Sequence, residues 1–144
     1  TNTFIDATTI HFGLAPIGAS DVRAERAAGG GRFPWFVAED AGAFAGYAKA
    51  AVWRPRDAYL HTAEVSVYVE ESRRRRGVAT ALYERLLAEL ARRRFRTAVA
   101  AVTLPNGPSV RFHESLGFER VGVFREVGRK FDAWWDVGFW QRPL

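Results

Sequence analysis

The sequence predicts a mixed α/β fold: a mostly antiparallel sheet with a central β-α-β crossover and flanking helices. Three observations predict it. The apolar run Ala63–Val69 passes through an arginine- and glycine-bearing loop into a long amphipathic segment. A second apolar run, Thr97–Val102, follows that segment, as expected of a buried strand parallel to the first. On either side, alternating segments are separated by turn residues, which places antiparallel strands around the crossover.

The elements follow in order. Thr1 to Phe12 has weak periodicity and reads as the end of a helix running into a loop. Ser20-Asp21 can cap a short helix that reaches Ala28 and stops at Gly29-Gly30-Gly31. Phe33–Glu39 and Phe44–Val52 read as strands of a hairpin turned by Asp40-Ala41-Gly42. Arg54–Asp57 is a polar loop with Pro55, and Leu60–Val69 is the third strand. Gly77–Arg93 is the clearest helix, with Ala79, Leu82, Tyr83, Leu86, Leu87 and Leu90 on one face and charges opposite. After Thr97–Val102, the segment Pro105-Asn106-Gly107-Pro108 is a break. Ser109–Leu116 is then a short helix ended by Gly117. Strands at Glu119–Val127 and Lys130–Trp140 complete the chain.

The 144 residues suit one domain with its own core, and no internal repeat or linker divides them. Apolar residues make up 48% of the chain, which excludes a disordered class. No run of about 18 apolar residues marks a membrane span, and no membrane partner is expected. No secretory leader is recognisable, although the chain opens on Thr1 and not on methionine. The absence of cysteine excludes disulfides, thiolate metal sites and a cysteine nucleophile, and it fits a cytoplasmic protein. His11 and His61 have no partner at metal-ligand spacing, so no metal is assigned. The formal charge is +5, and nineteen of the 21 basic residues are arginine, clustered at Arg73–Arg76 and at Arg92–Arg94 with Arg96. Such a surface suits phosphate, carboxylate or nucleic acid, and a biased genome composition would produce it with no functional meaning.

The loop Ser72-Arg73-Arg74-Arg75-Arg76-Gly77-Val78-Ala79 is the most informative segment. A strand that delivers a basic, glycine-bearing loop to a helix start makes an anion site. The first helical N–H groups lack internal partners, and the helix dipole favours negative charge there. The bland alternative, a crossover with solvated arginines, is equally open on the loop alone.

Two motifs set beside each other resemble the GNAT superfamily of acyl-CoA-dependent N-acyltransferases. Arg74-Arg75-Arg76-Gly77-Val78-Ala79 matches the superfamily's pyrophosphate loop. Asn106-Gly107-Pro108-Ser109, leading to Leu116-Gly117-Phe118, matches its Asn-x-x-Ser/Ala segment. Trp35–Glu39, Trp53–Tyr59, Thr62-Ala63-Glu64, Leu104-Pro105-Asn106, Phe112–Phe118 and Asp136–Gln141 more narrowly resemble the phosphinothricin/methionine sulfoximine acetyltransferase group. That group begins with a further strand and most of a helix, so the resemblance implies an N-terminally truncated single GNAT domain spanning 1–144.

The resemblance implies the following roles. Acetyl-CoA is the cosubstrate, its pyrophosphate held by Arg74, Arg75, Arg76, Gly77, Val78, Ala79 and Thr80. Its pantetheine arm lies along the backbone of Val67, Tyr68 and Val69, with contacts from Asn106 and Ser109. A turn residue before Gly107-Pro108 is the rival reading of Asn106. Glu64, in an otherwise apolar strand, is the general base. From the residues alone an exposed or ion-paired strand-end carboxylate is the simpler reading. His113 is the acid for the departing thiolate or a satisfied half-buried histidine. Arg54, Arg56, Tyr59 and Lys130 are candidates to hold a small amino-acid acceptor, against a simpler reading of solvated loop cations. Trp35, Phe36, Trp134 and Trp140 read as core or dimer-interface residues. Acetylation of an amino-acid-like acceptor by direct ternary-complex transfer, in a homodimer, is the resulting expectation. The alternatives are another amine acceptor such as a peptide N-terminus and, from a different class, a basic nucleic-acid-binding domain.

Overall fold

The computed structural model describes Thr8, Thr9, Leu14, Ala15 and residues 18–144; the helix end expected over Thr1–Phe12 and His11 lie outside the described residues, Thr8 and Thr9 aside. The fold is mixed α/β, with six mostly antiparallel strands and three helices among the described residues. In order these are α1 (Ala19–Ala28), β1 (Trp35–Asp40), β2 (Ala43–Val52), β3 (Thr62–Val69), α2 (Val78–Arg92), β4 (Thr97–Leu104), α3 (Gly107–Ser115), β5 (Glu119–Lys130) and β6 (Ala133–Pro143). Short 3-10 turns at Asp57–Tyr59 and Glu71–Arg73 interrupt the loops around β3. No helix among the described residues is long and apolar enough to cross a membrane.

The chain folds as two compact units, one of Arg26–Val99 with Pro143–Leu144 and one of Ala100–Arg142 with the described residues before Arg26. In the first unit β1, β2 and β3 form an antiparallel meander, and β3 pairs in parallel with the start of β4. The helix between them, α2, completes the expected crossover. Its Leu82, Tyr83, Leu86, Leu87 and Leu90 are buried, as their spacing predicts, with Ala48, Ala50, Ala63 and Val65 of the sheet also in the core. Each large apolar side chain so buried contributes roughly 1.5–3 kcal/mol, more than helix propensity supplies over the same turn. In the second unit β5 and β6 form a hairpin around a core of Val102, Phe118, Val137 and Trp140.

The last hairpin differs from the expectation. Its turn lies at Phe131-Asp132, both left-handed at φ 52 and 55, and Lys130 ends β5 where the sequence reading placed it at the start of β6. Gly128, which reads as a turn signal, lies inside the strand opposite Trp135. The irregularity there is a bulge around Glu126, whose N–H donates to the Asp136 carboxylate at 2.8 Å. The helix expected from Ser109 begins at Gly107, and Pro108 occupies its first turn, where a missing N–H costs nothing.

Candidate active site

In the first unit the strand β3 sets the geometry. Alternation sends Ala63 and Val65 to the buried face and Glu64, Ser66 and Tyr68 to the other. Across the ladder Glu64 faces Ala51, and Ser66 faces Lys49, so Lys49 is a diagonal neighbour of Glu64 on the same face. Tyr68, Tyr47 and Trp35 stack in a row across three strands, at centroid distances of 5.2 and 5.8 Å. The Lys49 ammonium lies 5.0 Å from the Trp35 ring centroid. Burial pushes the Glu64 carboxyl above its ordinary pKa, and the positive charge of Lys49 opposes that shift. Tyr83 on α2 is fully buried, and burial raises its pKa, reinforced by Tyr68 and Glu64.

The ladder between β3 and β4 runs over Thr62–Glu64 and Thr97–Val99 and ends there. Val67, Tyr68 and Val69 lie beyond this ladder, at the C-terminal end of β3. After β3, the main chain turns through Glu71–Arg73 and reaches α2 with Arg75 at φ 61 and Gly77 at φ 77. Gly77 is the N-cap of α2. It makes no side-chain cap, and no acidic residue stands in the first turn that holds Val78, Ala79 and Thr80. A left-handed N-cap is glycine's natural place, and nothing lies within 4 Å of where a Cβ would point. This geometry suits an anion.

The loop arginines do not all face solvent. Arg73 is half-buried and paired with Asp40 at the end of β1. Arg76 reaches the same carboxylate at 3.5 Å, and Arg74 lies 3.7 Å from Glu71. The second arginine cluster is also engaged. Arg92 and Arg93 both bind Glu89 at 2.7 Å, holding its carboxyl well below the usual range. Arg93 also donates to the backbone carbonyl of Arg32 at 3.0 Å. Arg54, Arg56 and Tyr59 are exposed on or beside the turn before β3, with the Arg54 guanidinium 5.2 Å from the Trp53 ring centroid. His61 Nδ1 lies 3.2 Å from the Arg94 carbonyl. No group of three or more His, Asp or Glu among the described residues could hold a metal.

In the second unit Asn106 caps α3, its Oδ1 accepting from the Ser109 N–H at 3.2 Å. That bond leaves the Nδ2 group as the donor the side chain can offer a ligand. Asn106 also lines a cavity of about 490 Å³ with Thr8, Thr9, Pro105, Phe131 and Trp135. His113, one turn further along α3, is buried, and its Nδ1 donates to the Ser109 carbonyl at 2.8 Å. Phe112 and Phe118 meet its ring edge-on at 5.3 and 5.4 Å. Burial lowers its pKa, partly offset by the Ser109 bond. Lys130 is buried, with its ammonium donating to the Thr8 carbonyl at 2.8 Å, so a side chain assigned from sequence to an acceptor serves an internal contact. Trp140 is core, whereas Trp134 is exposed, and Trp35 and Phe36 are half-buried.

Two residues escaped the sequence reading. Lys49 is a single lysine in an apolar strand, and Asp40 reads as a turn residue. Their roles depend on register and on a contact 33 residues away, neither of which local pattern encodes.

Comparison with known proteins places these features. The model of the acetyltransferase (GNAT) family matches residues 6–118. A phosphinothricin N-acetyltransferase of Streptomyces viridochromogenes is 40% identical over 143 residues, covering 99% of this chain and 78% of that protein. An L-methionine sulfoximine/L-methionine sulfone acetyltransferase of Salmonella typhimurium is 37% identical over 112 residues, covering 78% of this chain and 66% of that protein. Among solved structures, the phosphinothricin acetyltransferase of Sinorhizobium meliloti in complex with acetyl-CoA superposes with a TM-score of 0.92 at 30% identity, covering 98% of this chain and 77% of that one. The chain belongs to the acetyltransferase (GNAT) family.

Proposed function

We propose that this chain is an acetyl-CoA-dependent N-acetyltransferase for a small amino-acid-like acceptor of the phosphinothricin or methionine sulfoximine type, with direct transfer from thioester to amine. The observation that carries the reading is the start of α2. It is a helix N-terminus with a left-handed glycine cap, no acid in its first turn and three preceding arginines, Arg74–Arg76. The acceptor class comes from the activities named for the two relatives. A single catalytic domain belongs to the proposal, supported by a family match over residues 6–118 that takes in parts of both compact units.

Bound acetyl-CoA supplies an activated acetyl group and a thiolate leaving group. The N–H groups of Val78, Ala79 and Thr80 meet the pyrophosphate oxygens, and Arg74, Arg75 and Arg76 add charge-assisted hydrogen bonds. The backbone of Val67, Tyr68 and Val69 pairs with the pantetheine arm as with an added strand. One N–H of that stretch offsets the charge that develops on the thioester oxygen, a term worth several kcal/mol when preorganised. Asn106 donates through Nδ2 to a pantetheine carbonyl while Oδ1 stays on the Ser109 N–H, and Ser109 serves by fixing that orientation.

Glu64 takes the proton that an α-ammonium group must lose before attack. Burial makes it a stronger base than an exposed carboxylate, and Lys49 favours its ionised form. For His113 the packing role is favoured over the acid role. Its Nδ1–H is committed to the Ser109 carbonyl, so a proton from Nε2 would require an imidazolium that burial disfavours. A leaving thiolate more basic than water at neutral pH can be protonated by solvent without a dedicated acid. Arg56, with Arg54 and Tyr59, holds the acceptor's carboxylate; a bidentate guanidinium supplies orientation as well as energy. A homodimer is part of the reading, supported by Val121, Phe124, Val127, Phe131 and Trp134, exposed apolar side chains on the β5–β6 hairpin. So is a cytoplasmic location, which a cysteine-free chain fits.

The test is an acetylation assay with acetyl-CoA across phosphinothricin, methionine sulfoximine, methionine sulfone and a peptide panel. Glu64→Gln should lower kcat by about 10²–10⁴-fold with acetyl-CoA binding retained. Unchanged turnover in that variant removes the base assignment. Preference for the peptides removes the acceptor class.

A further inference from the structure

The arginine loop is attached to the sheet at two points. The Glu70 N–H donates to the Ala45 carbonyl at 2.9 Å, which ties the end of β3 to β2. Three residues later Arg73 reaches across to Asp40, the last residue of β1, whose backbone is fixed opposite Ala43 by the hairpin turn. The Arg73 side chain is 24% exposed and that of Asp40 46%, so this pair is partly shielded. Arg76 meets the same carboxylate at the longer distance of 3.5 Å and is 60% exposed. Just beyond Arg73 the chain takes left-handed conformations at Arg75 and Gly77, which an unanchored loop of ordinary residues would populate only part of the time.

We propose that Asp40 is a positioning residue for the CoA pyrophosphate loop: by clamping Arg73 and holding Arg76 at the loop mouth, it keeps the loop backbone in its binding conformation. The inference rests on the reading of this loop as the CoA site. Two effects of Asp40 oppose each other. Its charge repels a pyrophosphate, and its clamp removes the ordering cost that binding would otherwise carry. The clamp dominates because the charge is already neutralised by the half-buried Arg73, and a neutralised pair in partial shielding exerts a weak field on a third group. Arg76, on the looser and more exposed contact, is the arm that can turn to a phosphate oxygen.

The experiment is calorimetric titration of the full chain with coenzyme A, comparing the parent protein with Asp40→Ala, Asp40→Asn, Arg73→Ala and the Asp40→Ala/Arg73→Ala double variant. Each single variant should weaken CoA binding about fivefold to tenfold, and the double variant no further than either single. Turnover with S-acetylpantetheine, which has no pyrophosphate, should not change in Asp40→Asn, while the KM for acetyl-CoA rises at unchanged kcat. Asp40→Asn keeps the turn but removes the charge that holds Arg73 and Arg76, so it reports on the clamp even if Asp40→Ala folds poorly. Equal or tighter CoA binding in Asp40→Asn overturns the proposal, as do additive losses in the double variant. Failure of the parent protein to bind CoA overturns the loop assignment itself, and the proposal falls with it.

Discussion

The two helices that follow strands in this chain begin in opposite ways. The first N–H groups of α3 meet an internal cap: Asn106 turns its side chain onto Ser109, and Pro108 removes a donor from the first turn. The first N–H groups of α2 follow a glycine with no side chain to cap them. Both starts face the same requirement, that the early amides of a helix find acceptors. At α3 the chain meets part of it internally, whereas α2 follows a loop whose arginines are restrained by Asp40 and Glu71 and has no side-chain cap of its own. A helix start without a side-chain cap beside restrained cations is what a binding site for an anion needs. A capped one is a structural joint, with Asn106 retaining a donor that a ligand can use.

The sharpest way to break this contrast is to give α2 a cap of its own. Gly77→Asp would place a carboxylate where the pyrophosphate is proposed to sit, at a position whose φ of 77 also strains any side chain. CoA binding should fall by about 100-fold or more, as like-charge repulsion adds to the lost site. Gly77→Ala, which brings strain without charge at a cost of about 1 kcal/mol, should lose much less. Calorimetry with CoA separates the two, and equal losses would show that backbone strain, not anion binding, governs the position.

A smaller effect distinguishes the two uses of Asn106. Asn106→Ala removes the cap and should lower stability by roughly 0.5–2 kcal/mol, read as a fall in Tm, together with a raised KM for acetyl-CoA. Asn106→Asp keeps a capping oxygen and loses the Nδ2 donor. It should melt close to the parent and still show the raised KM. A normal KM in Asn106→Asp would leave Asn106 as a cap alone.

Legibility in the sequence followed the range of the interaction. The crossover was readable because α2 carries its burial pattern in its own 3.6-residue period and the arginine loop is contiguous. Gly77 and Asn106 stood out locally as loop and turn residues, but the sequence pattern put Gly77 inside the helix and Asn106 in a break, whereas the structure makes both of them N-caps. The final hairpin was misplaced because Gly128 is a turn signal that the structure uses beside a bulge, while Phe131-Asp132 makes the turn through positive φ values that neither residue advertises. The Lys130 contact was not legible because its partner, the Thr8 carbonyl, is 122 residues away. For the same reason the Arg73–Asp40 pair was not legible, and Lys49 beside Glu64 depended on a strand register that alternation alone leaves open.

The least effect is expected from pH, and it sharpens the contrast at the level of two titratable groups, the half-buried Glu64 and the buried His113. Glu64 has a raised pKa, so its folded-state preference is for the neutral acid. The stability it contributes is present below the unfolded value of about 4.5 and is lost as pH rises through the folded value. Glu64→Gln should therefore melt higher than the parent at pH 7 and at the same temperature near pH 4, while losing activity. His113 has a lowered pKa, so its contribution is present above about 6.5 and is lost as pH falls through the folded value. His113→Asn preserves a donor for the Ser109 carbonyl but leaves a cavity between Phe112 and Phe118, so it should melt lower than the parent at pH 8. That gap should narrow between pH 7 and 5, because only the parent has an imidazole to protonate, and at about 2–4 °C per kcal/mol the change is within reach of a melting curve. A constant gap across that range would mean that His113 is not the group that titrates, and a gain in kcat from its replacement would remove even its packing role from the active state.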